Sequence, residues 1–458
     1  MSIQVSGVYG GGSKINGVKG EYLATANIAK GDFVQLTTKG VEEVAFTELR
    51  TINTYADTDN VSAAVLSPTQ FILAYVEREK NSSVADSAIY AQVYTYSNGI
   101  WTAGIPLHIE TIASAGGHAV IEVCRLTASR AAIVFLETDK INSRIFILDI
   151  DTNINVIASA SDIQYLNKEG SSGTRLIPLT EDTFTMFCAT GSSNNKAVYS
   201  WVIAYKDGAI TANRITYSGD VPSTNEYFYA CKLNDQMVLL NVDNETYYQI
   251  LTVANGTGTL IDTTFLTAGA TQAYPDRVRT GELVQLSENR VLSASWAKTT
   301  TVINGTTPST SHICEYGILV YDPATSTLTL EGRVGAEGAK GAYYSLDAHK
   351  MSDTEIVVLT SDDEGALTAT DGLYFVIVDT VTGNYSGRML TPISGDGKRE
   401  FFPITYAGYG WMIAFSGVTS VLIAPLVSQT TAAPVDYRLD GVASKGATAG
   451  QMAEVVTP

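Results

Sequence analysis

Basic residues are scarce in this chain: 29 Lys and Arg stand against 47 Asp and Glu, for a formal charge of −18. Nucleic-acid binding draws on clustered Lys and Arg, so the deficit argues against a nucleic-acid partner. The carboxylate excess reads as a self-repelling, solvated surface. Cysteine and histidine are rarer, at four each. Cys124, Cys188, Cys231 and Cys314 sit in apolar, strand-like contexts with no C-x-x-C, which fits buried free thiols better than a disulfide frame or a zinc site. His108, His118, His312 and His349 show no H-x-x-x-H or other ligand spacing, so neither a metal site nor a cofactor is expected. No Gly-rich loop leads into a helix, which leaves nucleotide binding without support. No apolar run approaches a membrane span. The opening "MSIQVSGVYGGGSKING" has neither a basic n-region nor an apolar h-region. The expectation is therefore no secretory signal, no membrane contact and a chain made in a reducing cytoplasm that either stays there or leaves by a route other than secretion.

What the chain does have is a repeat. "LSPTQFILAYV" from Leu66 returns as "LTASRAAIVFL" from Leu126, "LTEDTFTMFCA" from Leu179, "LNDQMVLLNV" from Leu233, "LSENRVLSASW" from Leu286 and "MSDTEIVVLT" from Met351. A degenerate copy, "TYAGYGWMIAF", starts at Thr405, and successive starts differ by 60, 53, 54, 53, 65 and 54. Taken alone, "MSDTEIVVL" also fits a helix capping box, Ser352 with Glu355. The other copies lack the glutamate and keep only the polar turn and the apolar run, so the segment reads as a turn feeding a strand. Further on, each copy carries an apolar run, a short Asp, Asn or Gly turn and a second run, as in "VIAYKDGAITANRIT" from Val202. That is a β-hairpin signature. With the alternating run upstream of each start, every repeat holds four strands, A to D.

Seven such repeats predict an all-β fold: a seven-bladed β-propeller with four-stranded blades and very little helix. The paired GH and WD signals of WD40 repeats and the double glycine of kelch repeats are missing. The seventh repeat lacks its fourth strand, and "GVEEVAFTELRT" (Gly40 to Thr51) is expected to supply it. The A–B and C–D turns are short throughout, whereas the B–C and D–A connections are long. The long ones are "EREKNSSVADS" (Glu77 to Ser87), "TAGATQAYPDRVRT" (Thr267 to Thr280), "AKTTTVINGTTPSTSH" (Ala297 to His312) and "GRVGAEGAKGAYY" (Gly332 to Tyr344). Long loops on a rigid scaffold are where binding sits. The expected ligand-facing residues are Tyr274, Arg277, Arg279, Asn304, Tyr343 and Tyr344.

Residues 1–19 read as an extended arm, residues 20–39 plus 436–458 as one small β-module, and residues 40–435 as the propeller inserted between its halves. Both tails alternate apolar and polar residues around Gly-containing turns. No catalytic residues are assigned. A string resembling an Asp-box (Ser361, Asp363, Gly365) occurs once, after a B strand, and reads as a turn. Asp149, Asp151, Asn153 and Asn155 are spaced like the start of a calcium loop but lack its Gly and distal Glu, so they too read as turn residues.

The pairing of "YLATANIAKGDFVQL" with "DGVASKGATAGQMAEVVTP" resembles the ends of tailed-bacteriophage and prophage virion proteins of the head-decoration, head-fibre and tail-fibre kinds. It covers about the first 40 and last 25 residues. The resemblance implies a structural, adhesive protein without enzymatic activity. Tyr22, Gly31, Asp32, Phe33, Val34, Gly441, Val442, Ala443 and Gly450 would dock it on capsid, collar or tail. The propeller would face host-surface glycan or protein, with several copies on the particle and assembly in the host cytoplasm. A carbohydrate-active propeller, sialidase-like hydrolase or lectin, is the alternative.

Overall fold

Where the repeats predict strands, a computed structural model of the chain shows them. It describes residues 8–9, 13–14, 18–23, 33–37, 40–43, 50–54, 58–67, 69–78, 86–97, 100–112, 120–136, 142–151, 153–164, 171–190, 197–215, 228–242, 248–267, 277–301, 309–336, 347–350, 354–361, 372–381, 385–392, 399–406, 409–416, 420–427, 441–445 and 452–457. Among these residues there is strand and no helix, and so no helix long and apolar enough to cross a membrane. Apart from the two-stranded pair of Val8–Tyr9 with Ser13–Lys14, the sheets among the described residues are four- or five-stranded and mostly antiparallel in sequential order, a β-propeller architecture.

Counted in chain order, the propeller sheets lie within residues 58–112 (first), 120–164 (second), 171–215 (third), 228–262 (fourth), 264–336 (fifth) and 347–392 (sixth), and the second shows the plan. Val120–Thr127, Arg130–Leu136, Asn142–Ile150 and Ile154–Gln164 follow one another as strands A to D. The B strand is the continuous apolar run of the repeat because both of its faces are covered. Ala131, Ile133 and Phe135 pack toward the first sheet, while Ala132, Val134 and Leu136 pack toward the third. B strands of the first, third and fourth sheets are buried in the same way. "MSDTEIVVL" follows suit: Glu355–Ser361 is a strand paired with Asp347–Lys350 and Gly372–Asp379. Ser352 and Asp353 lie outside the described residues.

The repeated leucine has a local cause. The pairing register shifts across Leu66, Leu126, Leu233 and Leu286, so each occupies a β-bulge at the end of strand A. A bulge bends the strand and re-aims its side chain. Leu66, Leu233 and Leu286 are buried there. The polar residue that follows closes the turn: Ser67 Oγ, Thr127 Oγ1 and Asn234 Oδ1 accept from the backbone N–H two residues on. This is what Ser, Thr and Asn supply in a turn. In the C–D turns, Asp207 with Gly208 and Asn255 with Gly256 have positive φ, the requirement of a type I′ hairpin turn.

Four expectations shift. The segment Gly40 to Thr51 divides: Gly40–Glu43 pairs back on Phe33–Thr37 across a two-residue connection, Thr37 opposite Gly40. Arg50–Thr54 then completes the sheet of Arg399–Tyr406, Tyr409–Ser416 and Ser420–Val427. A local hairpin forms at lower chain-entropy cost than a distant pairing, so the first part is captured locally. Ala297 to His312 is mostly strand, because Arg290–Thr301 and Ser309–Asp322 stay paired as far as Thr301 opposite Ser309. Its run of β-branched threonines suits a pleated backbone. Thr327–Ala336 likewise extends into the expected loop at Gly332 to Tyr344. Thr264–Thr267 adds a parallel strand outside Thr327–Ala336.

In the first sheet the outer edge is split. Ile100–Ala103 and Leu107–Ile112 both pair with Ser87–Ser97. At the break, Gly104 N–H donates to Val93 O at 2.8 Å, and the Gln92 amide donates to Gly104 O at 2.6 Å. A Cβ on Gly104 would stand 3.0 Å from Val93 O.

Candidate functional site

The A strands of successive sheets touch one another in order, and Arg399–Tyr406 touches Thr58–Ser67. Four residues before each repeat Leu or Met, these strands carry Ser62, Glu122, Arg175, Tyr229, Glu282 and Asp347. The position carries a polar or charged side chain in all six copies.

Two links join members of this band. Ser62, 3% exposed, donates from Oγ to Glu122 Oε2 at 3.3 Å and accepts from Val123 N–H at 3.1 Å, tying the first sheet to the second. Arg175 Nη2 donates to Glu282 Oε1 at 2.7 Å, joining the third sheet to the fifth past the fourth. Side-chain exposure is 42% for Arg175 and 13% for Glu282, so the carboxylate is the more desolvated partner. Arg175→Met is expected to cost about 1–2 kcal/mol by leaving that carboxylate without this cation. Adding Glu282→Gln should recover most of the loss, and a double-mutant cycle in urea measures the coupling.

Below the band, one device recurs between neighbouring sheets. At three junctions the residue immediately before the repeat Leu or Met donates to the carbonyl of the previous repeat's Leu. Lys232 Nζ reaches Leu179 O, Gln285 Nε2 reaches Leu233 O at 2.7 Å, and Lys350 Nζ reaches Leu286 O at 3.0 Å. Asn289 N–H also donates to Leu233 O, and Asn234 Nδ2 to Asn289 Oδ1. The short-turn face is thus stitched from the third sheet to the sixth.

Around the first sheet's other side the packing turns aromatic. Phe71 stacks on Tyr94 with centroids 4.6 Å apart, and Trp101 tilts against Phe71 at 5.2 Å. Tyr75 stacks on Tyr90, with Glu77 close enough to raise both phenol pKa values. For each phenol, burial is the larger cause. Burial also raises the Glu77 carboxyl. A nucleophilic phenolate needs the opposite shift. Burial pushes the Cys188 thiol up to about 12, and it holds Cys124 and Cys231 well above the ordinary range. All three are free and buried, so none is activated for nucleophilic chemistry. Among the described residues no group of three or more His, Cys, Asp or Glu could hold a metal ion. Asp149 and Asn155 face each other across the hairpin of the second sheet.

Six of the nine expected docking residues, Tyr22, Phe33, Val34, Gly441, Val442 and Ala443, lie on strands of one sheet. Val18–Leu23, Met452–Thr457, Gly441–Lys445, Phe33–Thr37 and Gly40–Glu43 form one antiparallel sheet in that order. In its register Tyr22 is opposite Ala453, Phe33 opposite Val442, Val34 opposite Gly441 and Ala443 opposite Val455. Gly31, Asp32 and Gly450 lie outside the described residues. Of the ligand-facing set, Arg277 and Arg279 are strand residues rather than loop residues, opposite Ala297 and Trp296. The A strand starts early because its extended partner gives it backbone to pair with. Tyr274, Asn304, Tyr343 and Tyr344 lie outside the described residues. Sequence reasoning missed the polar band, although aligning the repeats on their leucines would have shown a polar column four residues upstream, charged in four of the six copies.

No protein-family model matches the chain, and no curated protein matches it in sequence. Solved structures similar to it include Sqt1 of Saccharomyces cerevisiae, 9% identical, with 88% of this chain and 100% of that one covered and a TM-score of 0.42. The Nup133 β-propeller domain of Vanderwaltozyma polyspora is 9% identical over 78% of this chain and 98% of that one, with a TM-score of 0.43. The NanB sialidase from Streptococcus pneumoniae is 9% identical over 84% and 71%, with a TM-score of 0.41. At such scores no function passes from any of them to this chain.

Proposed function

We propose that this chain is a bacteriophage virion structural protein without enzymatic activity: a seven-bladed propeller carried on a docking module built from both chain ends. The module attaches to other particle proteins, and the long-connection face of the propeller presents a binding surface to host glycan or protein. The observation that carries the reading is the interleaving of N- and C-terminal strands in one sheet, with all the repeats between them. Such an arrangement turns the ends into a single attachment unit. Ring closure with seven blades is supported by the contact of Arg399–Tyr406 with Thr58–Ser67 and by the borrowed strand Arg50–Thr54. The short-turn face is braced by the repeated Lys and Gln links, which suits the load-carrying side of a display scaffold.

Mass spectrometry of purified phage particles tests the proposal. The protein is expected among the structural components at a stoichiometry that survives density-gradient purification. Its absence from intact particles, or its presence only in lysate, would overturn the reading.

A further inference from the structure

We infer that the terminal five-stranded sheet is the clasp of the propeller, so that order in the chain ends and closure of the ring are thermodynamically coupled. Strands from opposite ends of the chain pair three times. Val18–Leu23 pairs with Met452–Thr457, Phe33–Thr37 with Gly441–Lys445, and Arg50–Thr54 with Ser420–Val427. The third of these pairings is the outer strand of the last sheet.

That strand is weakly held by itself. It makes four paired positions with a register shift between Val421 and Leu422, whereas Ala209–Ile215 makes seven with its neighbour. Ala209–Ile215 is also joined to its partner by the tight Asp207–Gly208 turn. Arg50–Thr54 has no such turn. Its pairing closes a loop containing every repeat, and the entropic cost of closure grows with loop length. The terminal sheet lowers that cost by shortening the loop left to close. Residues 44–49 separate Arg50 from Gly40–Glu43, a tether of at most roughly 25 Å. Residues 428–440 separate Ser420–Val427 from Gly441–Lys445. With the terminal sheet formed, the closing strand and its partner meet at the raised effective concentration set by these two tethers. The seam it closes abuts the first sheet: Ile100–Ala103, which carries the buried Trp101, touches Arg50–Thr54. Coupling of this kind is reciprocal, and a partner that binds the ordered terminal sheet tightens the ring.

Hydrogen exchange read by mass spectrometry on the full chain tests the clasp. Val455 is paired on both sides, with Gly20 and with Ala443, so Val455→Pro breaks the middle of the terminal sheet. Exchange at Arg50–Thr54 and Ser420–Val427 is expected to speed up at least about tenfold. Protection of Arg130–Leu136 and Thr183–Thr190 should stay unchanged. The reverse variant, Asn53→Pro, leaves the terminal-sheet strands intact and should speed exchange at Gly441–Lys445 and Met452–Thr457. Either perturbation remaining local would overturn the inference. A loss of protection spreading through the B strands of the second and third sheets would overturn it equally, because a clasp acts at the seam.

Discussion

Leu233→Ala is expected to destabilise the protein by about 2–5 kcal/mol, the range for removing a fully buried leucine side chain. Leu233 is wholly buried and packs with Cys231, Leu239, Leu319 and Leu328 between the fourth and fifth sheets. Its carbonyl accepts from Gln285 and from the Asn289 N–H, bonds an alanine can keep. The loss is therefore of packing alone: the transfer energy of the side chain plus the cavity left behind. In a chain of this size that is a fall in Tm of roughly 2–5 °C. Leu126→Ala provides the contrast, since Leu126 holds the same place in its repeat but is only partly buried. Its cost should be less than half as large. Equal losses in calorimetry would show that the bulge leucine contributes through turn geometry rather than burial.

Removing the terminal sheet, residues 1–43 together with 436–458, is expected to lower association with phage particles by at least about a hundredfold, as a loss of roughly 3 kcal/mol of docking energy does. Arg50–Thr54 and all the repeats remain in this truncated chain, so it should keep a folded, β-rich propeller by circular dichroism. Pelleting of full-length and truncated protein with purified particles measures the difference. Undiminished attachment would move the docking surface onto the propeller. A truncated chain that failed to fold would show that the terminal sheet carries more of the stability than clasping one seam requires.

Much of this architecture is legible from one sequence because propeller structure is local and repeated. A B strand covered on both faces must be apolar along its whole length, so Ala131 to Leu136 and Ile356 to Leu359 announce themselves. The turn chemistry is equally local: Ser67, Thr127 and Asn234 close their own turns, and Asp207–Gly208 dictates its hairpin. Each feature depends on residues within a few positions of one another, and composition records it directly.

The three-dimensional structure decided whatever depends on residues far apart in the chain. Gly40–Glu43 and Arg50–Thr54 are both strand-like, and only the nearby Phe33–Thr37 determines which of them the terminal sheet takes. The link from Arg175 to Glu282 spans two sheets, and pattern reading gives no sign that a charged strand residue will find that partner. By itself the sequence determined the repeat, its B strands and its turn types, because neighbouring residues and periodic burial set them. Tertiary structure alone decided where within residues 40–54 the closing strand lies and which charges meet, because those choices follow from the free energy of closing loops and desolvating remote partners together.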